Sequence, residues 1–548
     1  MKKICLLLSI VLLFTMFSGI NYNDVYAASN PIVKIGLYYG STAQSQIAIS
    51  ADNGVSYNAY DAETSTYSTV YNSGPGQVVN IRKDSYFTGS EVKLTPVAST
   101  AGPTIGPYHI KLQSTYNTYD NTIKVISTYK TKGITAYPVY TDAGWEIWTG
   151  FYIDQATAQA AITEVKGNLG QVACSVVDKV DTRICAVDSN TGEIIFMYAA
   201  AQKLMRGKPA ADEDAIIIGT GKLNTFRGQV EFFRKTGSDM TIINVLPMEE
   251  YLYGVVPNEI EAFSNPEALK AQAIAARTYS YVYLNKHAAY GFNLCSTTDC
   301  HVYKGKSSES PITNKAVDDT KDMVVTYNGK LAETLYFSSS GGMTEDSVNV
   351  WGSDIAYLKS VEDKYESGKS YKYNWTLTFT ADDLSQKLKN YNLGTVTGME
   401  ITKKSEAGRP IEIVVKGTLK PEGVKITRDK CRTFLSLYSQ WFTISTNADV
   451  NIEVNGEEQK APLSQVKVVT KDGETKISDP GEKVTIVGAD GKNTTVSAVP
   501  TEYYFAGKGW GHAVGMSQEG AKGMADAGFT YDQILAHYYQ GTAIELKR

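Results

Sequence analysis

Residues 264–281 predict a buried helix around which the rest of the chain must pack. Ser264 and Asn265 favour the position just before a helix, and Pro266 fits the first helical position. An alanine-rich run of good helix formers then continues to the end of this stretch. Just before it, Glu259 stands between apolar residues at the end of a short apolar segment. A carboxyl in such surroundings can have a raised pKa.

Arg277 lies on this predicted helix among alanine and isoleucine side chains, two turns after Lys270 and on roughly the same face. An arginine on so apolar a helix needs a partner. It could orient Glu259, pair with a buried acid such as Glu345, or bind a substrate carboxylate through two parallel hydrogen bonds. The alternative is a purely structural ion pair.

The first 27 residues have the pattern of a cleaved secretory signal. Lys2 and Lys3 precede an apolar run from Ile4 to Phe17, and small residues stand at the predicted cleavage site near Ala27. The run is shorter than the ~20 residues that a membrane-spanning helix needs. We therefore expect the mature chain to be exported.

Length, charge and cysteine count exclude several classes of protein. A chain of 548 residues predicts three or four domains of ~100 to 200 residues each. The formal charge of -5 is small and no basic block is present, so nucleic acid is not an expected partner. Cys5 would leave with the signal, and the cysteines that remain are odd in number, so they cannot form a complete disulfide framework.

Two units are predicted in the first part of the mature chain. Residues 30–105 alternate apolar and polar side chains between turns, which indicates a small antiparallel β unit. Residues 108–200 instead contain a strand, helix, strand pattern that occurs twice. Through Tyr137, Trp148 and residues 150–152 this unit resembles the sporulation-related repeat, a compact α+β module. The resemblance implies binding to glycan strands that lack stem peptides, which would tether the chain to a polymer; an ordinary α+β spacer is the alternative.

Residues 220–548 combine strands with a few helices. Asn328-Gly329 predicts a hairpin turn, and Thr380 is positioned to cap a helix. Residues 447–500 are rich in Lys, Asp, Gly and Val and contain repeated Asp-Gly turns, which predicts a β-rich surface insertion. The whole chain is therefore predicted to be a strand-rich, multidomain α+β protein with a mixed α/β domain at residues 220–548.

Several ordered sequence blocks between Asn224 and Arg548 resemble one known family. The blocks are Tyr251–Glu259, Glu267–Tyr279, Tyr336–Glu345, Val350–Gly352 and Gly507–Gln518. In their order and composition they resemble the stage II sporulation protein D family, which also contains proteins called amidase enhancers. The first two hundred residues lie outside this resemblance.

The resemblance implies that Glu259 is the catalytic acid and base of a lytic transglycosylase, an enzyme that cuts the MurNAc-GlcNAc β-1,4 bond of peptidoglycan without water. Most glycosidases place two carboxyls across the bond that breaks. A transglycosylase can use one, which first protonates the leaving oxygen and then accepts a proton from the muramic C6 hydroxyl. The alternative for Glu259 is a carboxylate bound by backbone N–H groups at a helix entry. Glu249, Glu250 and Glu261 are less suitable because we expect them to be solvated.

The glycine-rich block from Gly507 to Gly523 does not fit a nucleotide site, because it lacks the spacing of either phosphate-binding motif. Closely spaced glycines here would let the backbone approach a sugar chain, with residues 339–342 approaching from the opposite wall. The candidate substrate contacts are Arg277, Ser339, Ser340, Gly341, Gly342, Lys508, Trp510, His512 and Gln518. A serine hydrolase that pairs Ser339 or Ser340 with His512 is a weaker alternative, since no Gly-x-Ser-x-Gly turn is present.

Cys295 and Cys300 are candidates for a metal site. His301 follows directly and His287 lies upstream, so two thiols and a histidine could bind zinc. Some members of the resembled family carry a metal at the matching cysteine pair, although His301 stands here where that family more often has glutamine and Asp299 where it often has histidine. A small disulfide loop is the other possibility, which export would favour.

These observations together predict an exported protein of the cell wall that acts on peptidoglycan glycan strands stripped of their stem peptides. The predicted activity is that of a lytic transglycosylase in wall remodelling, with a possible role in sporulation. A second hypothesis is a non-enzymatic amidase enhancer that binds glycan in the same cleft and stimulates a separate cell-wall amidase. A third is a structural wall-binding protein that uses only its N-terminal modules. No cofactor other than zinc at the cysteine pair is expected.

Overall fold

A computed structural model describes most of the chain and confirms a strand-rich, multidomain α+β fold with several separate sheets. The described residues are 31–90, 93–170, 172–219, 224–235, 237–454, 457–463, 467–470, 473–476, 483–487, 491–497 and 499–547. The predicted signal at 1–27 lies outside them. Within the described part, no helix combines the length and the apolar character needed to cross a membrane.

The first strands alternate buried and accessible side chains, as their sequence predicts. They are β1 Ile32–Tyr38, β2 Gln46–Ser50, β3 Val55–Asp61, β4 Thr66–Asn72, β5 Val79–Lys83, β6 Phe87–Ser90 and β7 Lys93–Pro96. The next unit contains β8 Tyr108–Tyr116, α1 Tyr119–Thr131, β9 Ala136–Thr141, β10 Gly144–Tyr152, α2 Gln155–Leu169 and β11 Cys174–Val177. Its strands adjoin in the order β11-β8-β10-β9, which is the split βαβ arrangement.

Two of the aromatic residues that carry the resemblance to the sporulation-related repeat are buried, while Phe151 and Tyr152 are half-buried. Tyr137 and Trp148 are each only 4% exposed, and they lie on the sheet face opposite α1 and α2. That face is covered by His109, which packs against both rings, and by Arg183, which lies over the Trp148 ring. Tyr137 and Trp148 therefore belong to the core and cannot stack on a glycan. Glycan binding by this unit stays a prediction that other residues would have to carry.

Two large sheets run across the predicted domain boundaries. The elements that follow are β12 Ile184–Asp188, β13 Ile194–Tyr198, β14 Leu204–Pro209, β15 Ile216–Ile218, β16 Thr225–Phe226, β17 Gln229–Arg234, β18 Met240–Pro247, α3 Met248–Tyr253, α4 Val256–Glu259, α5 Pro266–Val282 and β19 Leu294–Cys295. One sheet has the order β19-β1-β18-β17-β14-β3-β4, and the other has β11-β8-β10-β9-β13-β12-β5-β2-β15-β16. Strands of the unit predicted at 30–105 thus pair with strands up to Cys295, so this unit shares its sheets with both following segments.

The predicted central helix is α5. Asn265 caps it through a hydrogen bond from the Glu267 N–H, and Pro266 occupies its first turn. Most of its side chains are buried, so it is enclosed on nearly all sides. It packs against the helices and the strand that follow it in sequence, and this places the end of α4 beside the core.

The remaining elements build the C-terminal half. They are α6 Pro311–Asp319, β20 Met323–Tyr327, β21 Lys330–Leu331, β22 Tyr336–Phe337, α7 Ser347–Val350, β23 Asn374–Thr380, α8 Ala381–Lys387, β24 Val396–Lys404, β25 Pro410–Gly417, β26 Lys420–Thr427, α9 Lys430–Thr433, β27 Trp441–Thr446, β28 Asp449–Val454, β29 Glu457–Pro462, β30 Lys467–Thr470, β31 Gly473–Lys476, β32 Lys483–Val487, β33 Asn493–Ser497, β34 Glu502–Lys508, β35 Met516–Ser517, α10 Gln518–Asp526, α11 Tyr531–Tyr538 and β36 Ala543–Leu546. Asn328 and Gly329 form the predicted turn with positive φ, and Thr380 caps α8. Strands β28 to β33 pair as three hairpins, so the described part of the 447–500 insertion is β-rich.

Candidate active site

Glu259 is the last residue of α4, a single helical turn between two buried segments. Val255, Val256 and Ile260 are all buried and hold this turn against the core. The Ile260 N–H donates to the Val256 carbonyl at 3.0 Å, after which the chain becomes extended. The apolar neighbours seen in the sequence therefore fix the backbone of Glu259, while its side chain stays half-buried.

The carboxyl of Glu259 has a raised pKa because burial removes water that would stabilise its charge. Two hydrogen bonds oppose this effect. The Val302 backbone N–H donates to Oε1 at 2.8 Å, and the Gln518 side chain supplies the other. The sequence also allowed a carboxylate bound by the N–H groups at the start of the following helix. The backbone donor to Glu259 is instead Val302, which lies in a loop 43 residues later. Such a carboxyl can hold a proton and can also be ionised.

Glu259 lines a groove of about 810 Å³. One wall is residues 259–265, which follow α4. The other wall is formed by Ser338, side chains of residues 367–371 and Trp510, and α10 contributes lining residues along its whole length, from Gln518 to Asp526. Four segments that are far apart in sequence thus meet at one carboxyl. A groove of this volume has the size of a small-molecule or oligosaccharide site.

Three aromatic rings stand at the edges of the groove. Phe263 and Tyr371 are 83% and 81% exposed, which makes them the most exposed large hydrophobic side chains in the described part of the chain, and Trp510 is 43% exposed. The exposed faces of these rings suit the apolar faces of sugar rings. The groove therefore offers stacking surfaces around an acid.

The serine and glycine loop predicted to contact substrate mostly supports the groove from behind. Ser339 and Ser340 are each 1% exposed, and only Ser338 of this loop lines the groove. Ser339 exchanges two backbone hydrogen bonds with Trp510, at 2.8 and 3.0 Å. Gly341 has φ +76°, and a Cβ there would lie 2.8 Å from the Cβ of Lys508. The loop thus positions Trp510, and residues 339–342 do not line the groove. Direct contact of these residues with substrate stays a prediction.

Glu366 anchors the opposite wall to this loop. Its carboxyl accepts hydrogen bonds from the Ser339 hydroxyl and from the Gly341 N–H. The Ser340 hydroxyl lies 2.7 Å from Glu366 and 2.8 Å from Asp363, but it has a single hydrogen and can donate to only one of them. Burial raises the pKa of Glu366, while the hydrogen bonds from Ser339 and Gly341 stabilise its ionised form and oppose this effect. Residues 367–371, which carry Tyr371, are held in place by this bond network.

Lys508 and His512 lie behind the groove, not in it. Lys508 places its ammonium over the Trp441 ring, 5.5 Å from the centroid. His512 packs against Phe337 and Trp351, and its Nδ1 accepts a hydrogen bond from the backbone. Burial lowers the pKa of His512 to about 4, so the ring is neutral. It makes no hydrogen bond to Ser339 or Ser340 among the described contacts, which removes the basis for a serine hydrolase.

Arg277 does not reach the groove. Its side chain is 0% exposed, and its guanidinium binds both oxygens of Glu249, at 2.8 and 2.6 Å. It also donates to the carbonyls of Val317 and Met323. The buried acid is therefore Glu249 and not Glu345, and the guanidinium's contacts are those of a structural ion pair.

The cysteine loop forms a compact group of possible metal ligands. One ligand atom each from His287, Cys295, Asp299 and Cys300 lies within 4.8 Å of the others. The Cys300 sulfur is 3.4 Å from His287 Nε2, and that nitrogen is 3.3 Å from Asp299. The two sulfurs are free thiols and not a disulfide. Two sulfurs, one imidazole and one carboxylate are a donor set that zinc accepts.

His301 is not part of this group, in contrast to the prediction. It is 1% exposed and stacks on Tyr336 with an angle of 4° between the rings. Its Nδ1 hydrogen bonds the Tyr251 hydroxyl at 3.0 Å. Burial lowers the pKa of His301 to about 3, so it is a neutral core residue. The backbone turns its side chain away from Cys300, and Asp299 takes the place predicted for it.

Sequence patterns did not point to several residues that line the site. Phe263 and Tyr371 lie in irregular loops, where no periodicity marks an exposed ring. Val302 contributes only a backbone N–H, which almost any residue type could supply, so its identity gave no indication of this role. The one available signal was Phe263 itself, a large apolar residue in a polar link between two helices.

A family model and several known proteins match parts of this chain. The family model described as stage II sporulation protein matches residues 236–327, which contain Glu259, α5 and the cysteine loop. The chain is 34% identical over 309 residues to a protein of Bacillus subtilis called amidase enhancer, which covers 54% of this chain but only 40% of that protein.

Stage II sporulation protein D of Bacillus subtilis is 33% identical over 318 residues, covering 55% of this chain and 74% of that protein. The protein of the same name from Bacillus amyloliquefaciens is 32% identical over 315 residues, with 55% and 74% coverage. Most of each of these two proteins thus has a counterpart in this chain. The chain belongs to the stage II sporulation protein D family.

Proposed function

We propose that this chain is an exported lytic transglycosylase that cleaves the MurNAc-GlcNAc bond of peptidoglycan in cell-wall remodelling, with sporulation as one setting. The observation that carries this proposal is a carboxyl of raised pKa, Glu259, in a groove bordered by three exposed rings. Its family contains proteins named for sporulation and for amidase enhancement, which is consistent with work on the wall.

Glu259 carries both proton transfers in the proposed reaction. The carboxylic acid gives its proton to the GlcNAc O4 as the bond from that oxygen to the muramic C1 breaks. The resulting carboxylate then takes the proton of the muramic C6 hydroxyl while O6 bonds to C1. The product is a 1,6-anhydro end, no water is consumed, and Glu259 is again protonated. One such acid/base group contributes roughly 10² to 10⁴ in rate.

The other acids of the groove support a mechanism with a single carboxyl. Glu261 and Glu519 also line the groove, and both bind Lys522, at 2.8 and 2.7 Å. Their side chains are 56% and 23% exposed. Burial raises the pKa of Glu259, which suits the single acid/base group of a transglycosylase, whereas a hydrolase of the two-carboxyl type needs a matched second carboxyl across the bond.

The test is to digest purified glycan strands, stripped of stem peptides, with the mature protein, residues 28–548. Mass spectrometry should find muramic ends that are lighter by one water than the ends a hydrolase would make. Strands with intact stem peptides serve as the comparison substrate. If stripped strands are returned uncut, or are cut only to hydrolysed ends, the proposed activity is wrong.

A second candidate function is that of an amidase enhancer without its own activity, favoured by the 34% identity to a protein of that name. The same groove would then bind glycan and present it to a separate cell-wall amidase. The distinguishing result is an increase in stem-peptide release when the amidase is present, together with unchanged glycan length when it is absent.

We expect the exposed rings of the groove to contribute measurably to glycan affinity. Tyr371→Ala and Phe263→Ala should each weaken binding of stripped strands roughly 2- to 10-fold, since each removes one stacking surface. Tyr504→Ala is the matched control, because Tyr504 is exposed but does not line the groove. Binding is measured by calorimetry in a Glu259→Gln background, so that no substrate is consumed. An equal loss in all three variants would contradict a role for these rings.

The proposal also includes a zinc ion held by His287, Cys295, Asp299 and Cys300. Four such ligands complete the tetrahedral shell of a structural zinc, so the ion would supply rigidity and not an activated water. Cys300 lies two residues before Val302, whose N–H binds Glu259. The ligand group therefore fixes the loop that holds the catalytic carboxyl.

Protein purified without chelators should contain about one zinc ion per chain. Cys300→Ser should lose most of it, while Cys174→Ser should retain it, because Cys174 lies in a different unit. Metal content is measured by plasma mass spectrometry. If the protein lacks zinc and its intact mass is lower by two hydrogens, Cys295 and Cys300 form the disulfide that export favours.

A further inference from the structure

Gln518 has an unusually well fixed backbone for a residue that lines a groove. It is the first residue of α10, and the Ser517 hydroxyl caps this helix by accepting a hydrogen bond from the Gly520 N–H at 3.1 Å. Directly before it, β35 pairs in parallel with β22, so the helix begins from a strand that is held in a sheet. The Gln518 side chain is 7% exposed, although the groove opens beside it.

The amide group of Gln518 is held from the side opposite Glu259. Its Nε2 donates to the Oε1 of Gln272 at 3.4 Å. Gln272 lies on α5 and is 0% exposed, so it cannot move towards solvent. An amide nitrogen has two hydrogens in one plane. Once one of them points to Gln272, the direction of the other is also fixed.

The second partner of this amide is Glu259. The Gln518 side chain hydrogen bonds the Glu259 carboxyl, and an ionised carboxylate can only accept, so the amide nitrogen must be the donor to it. Both hydrogens of Nε2 are then used, one on Gln272 and one on Glu259. The amide oxygen can still accept a hydrogen bond from a sugar hydroxyl, so the substrate contact that the sequence predicted for Gln518 stays a prediction.

We propose that Gln518, anchored by Gln272, is a positioning residue for Glu259: its amide N–H holds the ionised carboxylate in place between the two proton transfers. The inference rests on the proposed function, in which Glu259 must exist as a carboxylate before it accepts the C6 proton. Burial alone favours the acid form needed for the first step. The hydrogen bonds from Gln518 and Val302 stabilise the form needed for the second, and they fix its oxygens where the C6 hydroxyl arrives.

The sign of the expected effect follows from the charge that the bond stabilises. A donor to the carboxylate lowers the pKa of Glu259, so its removal raises that pKa further. Gln518→Leu removes both hydrogen bonds at similar size. The high-pH limb of the kcat/KM profile reports loss of the acid form, so it should move upwards by about one pH unit. We expect kcat at the optimum to fall about tenfold with KM unchanged, because the carboxylate is less well held.

Gln272→Met tests the anchor, since it keeps the volume of the side chain but removes the acceptor for Gln518. The high-pH limb of the kcat/KM profile of Gln272→Met should also move upwards, by less than in Gln518→Leu. Gln386→Leu is the matched control, because Gln386 is an exposed glutamine on α8 that does not line the groove. Thermal unfolding of each variant identifies any that has lost its fold, and Gln518→Leu, at the groove surface, decides the question if Gln272→Met does not fold.

A second readout does not depend on activity. Carbodiimide labels the protonated form of a carboxyl, so the extent of labelling at Glu259, measured by peptide mass spectrometry across pH, follows its protonated fraction. The labelling midpoint should rise in Gln518→Leu relative to the parent protein and stay unchanged in Gln386→Leu. An unchanged midpoint overturns the inference, and so does a raised KM with an unmoved high-pH limb, which would mean that Gln518 binds the sugar. Failure of the proposed function would look different. The parent protein would then make no anhydro ends, regardless of how labelling at Glu259 depends on pH.

Discussion

Glu259→Gln is expected to cleave stripped glycan roughly 10²- to 10⁴-fold more slowly than the parent protein while binding it with similar affinity. Glutamine has nearly the same shape and can still accept the hydrogen bond from Val302, but it can neither give a proton to the leaving oxygen nor take one from the C6 hydroxyl. The rate is measured as anhydro ends released with time, and affinity by calorimetry on the same strands.

Glu250→Gln is the control for this experiment. Glu250 is also half-buried and burial also raises its pKa, but it does not line the groove. The Glu250→Gln variant should cleave at the parent rate, which would show that a carboxyl with a raised pKa does not contribute to cleavage unless it reaches the groove. If Glu259→Gln cleaves as fast as Glu250→Gln, the acid lies elsewhere. If no variant cleaves but all bind and stimulate an amidase, the enhancer function is the correct one.

The sequence predicted the elements that depend on local pattern. The cap, proline and uninterrupted helix formers of α5 were sufficient for its position, and the structure extends it by one residue to Val282. Asn328-Gly329 correctly marked a hairpin because these residues adopt positive φ easily. Such signals are contained within a few residues, so they do not require knowledge of what the element packs against.

Pairing between distant segments could not be predicted in the same way. Strand β1 lies between β18 and β19, more than two hundred residues later in the chain. Alternation of side chains gives the face that is buried but not the neighbouring strand. For the same reason the resemblance carried by Tyr137 and Trp148 did not show that both rings are core residues, which pack against His109 and, for Trp148, under Arg183.

The candidate site shows the same division. The apolar residues around Glu259 were a correct indication of a buried carboxyl with a raised pKa. The glycines at 341, 509 and 511 do permit a close approach, and the approach seen is between segments of this chain. A glycine in the sequence indicates a close contact, but the contacting group can be identified only in the folded structure. An exposed ring such as Tyr371 lies in a loop and does not follow the hydrophobic periodicity that marks buried side chains, so this periodicity could not reveal it.

Loss of the Arg277 guanidinium is expected to destabilise the unit built on α5 by about 3–5 kcal/mol. In Arg277→Met the carboxylate of Glu249 would remain buried without its bidentate partner, and the carbonyls of Val317 and Met323 would lose their donor. Because several sheets share this chain, a single unfolding midpoint does not isolate the unit. Hydrogen exchange of the α5 amides isolates this unit, and the protection of these amides should fall a hundredfold or more.

The double variant Arg277→Met with Glu249→Met distinguishes a structural ion pair from a substrate contact. Removing both charges leaves no unpaired ion in the core, so much of the lost protection of α5 should return. Its affinity for stripped glycan should match the parent, since neither residue lines the groove. If Arg277 instead bound the muramic carboxylate, the double variant would be stable but would bind glycan weakly. Arg277→Lys should resemble Arg277→Met more than the parent, because a lysine cannot reproduce two parallel hydrogen bonds to one carboxylate.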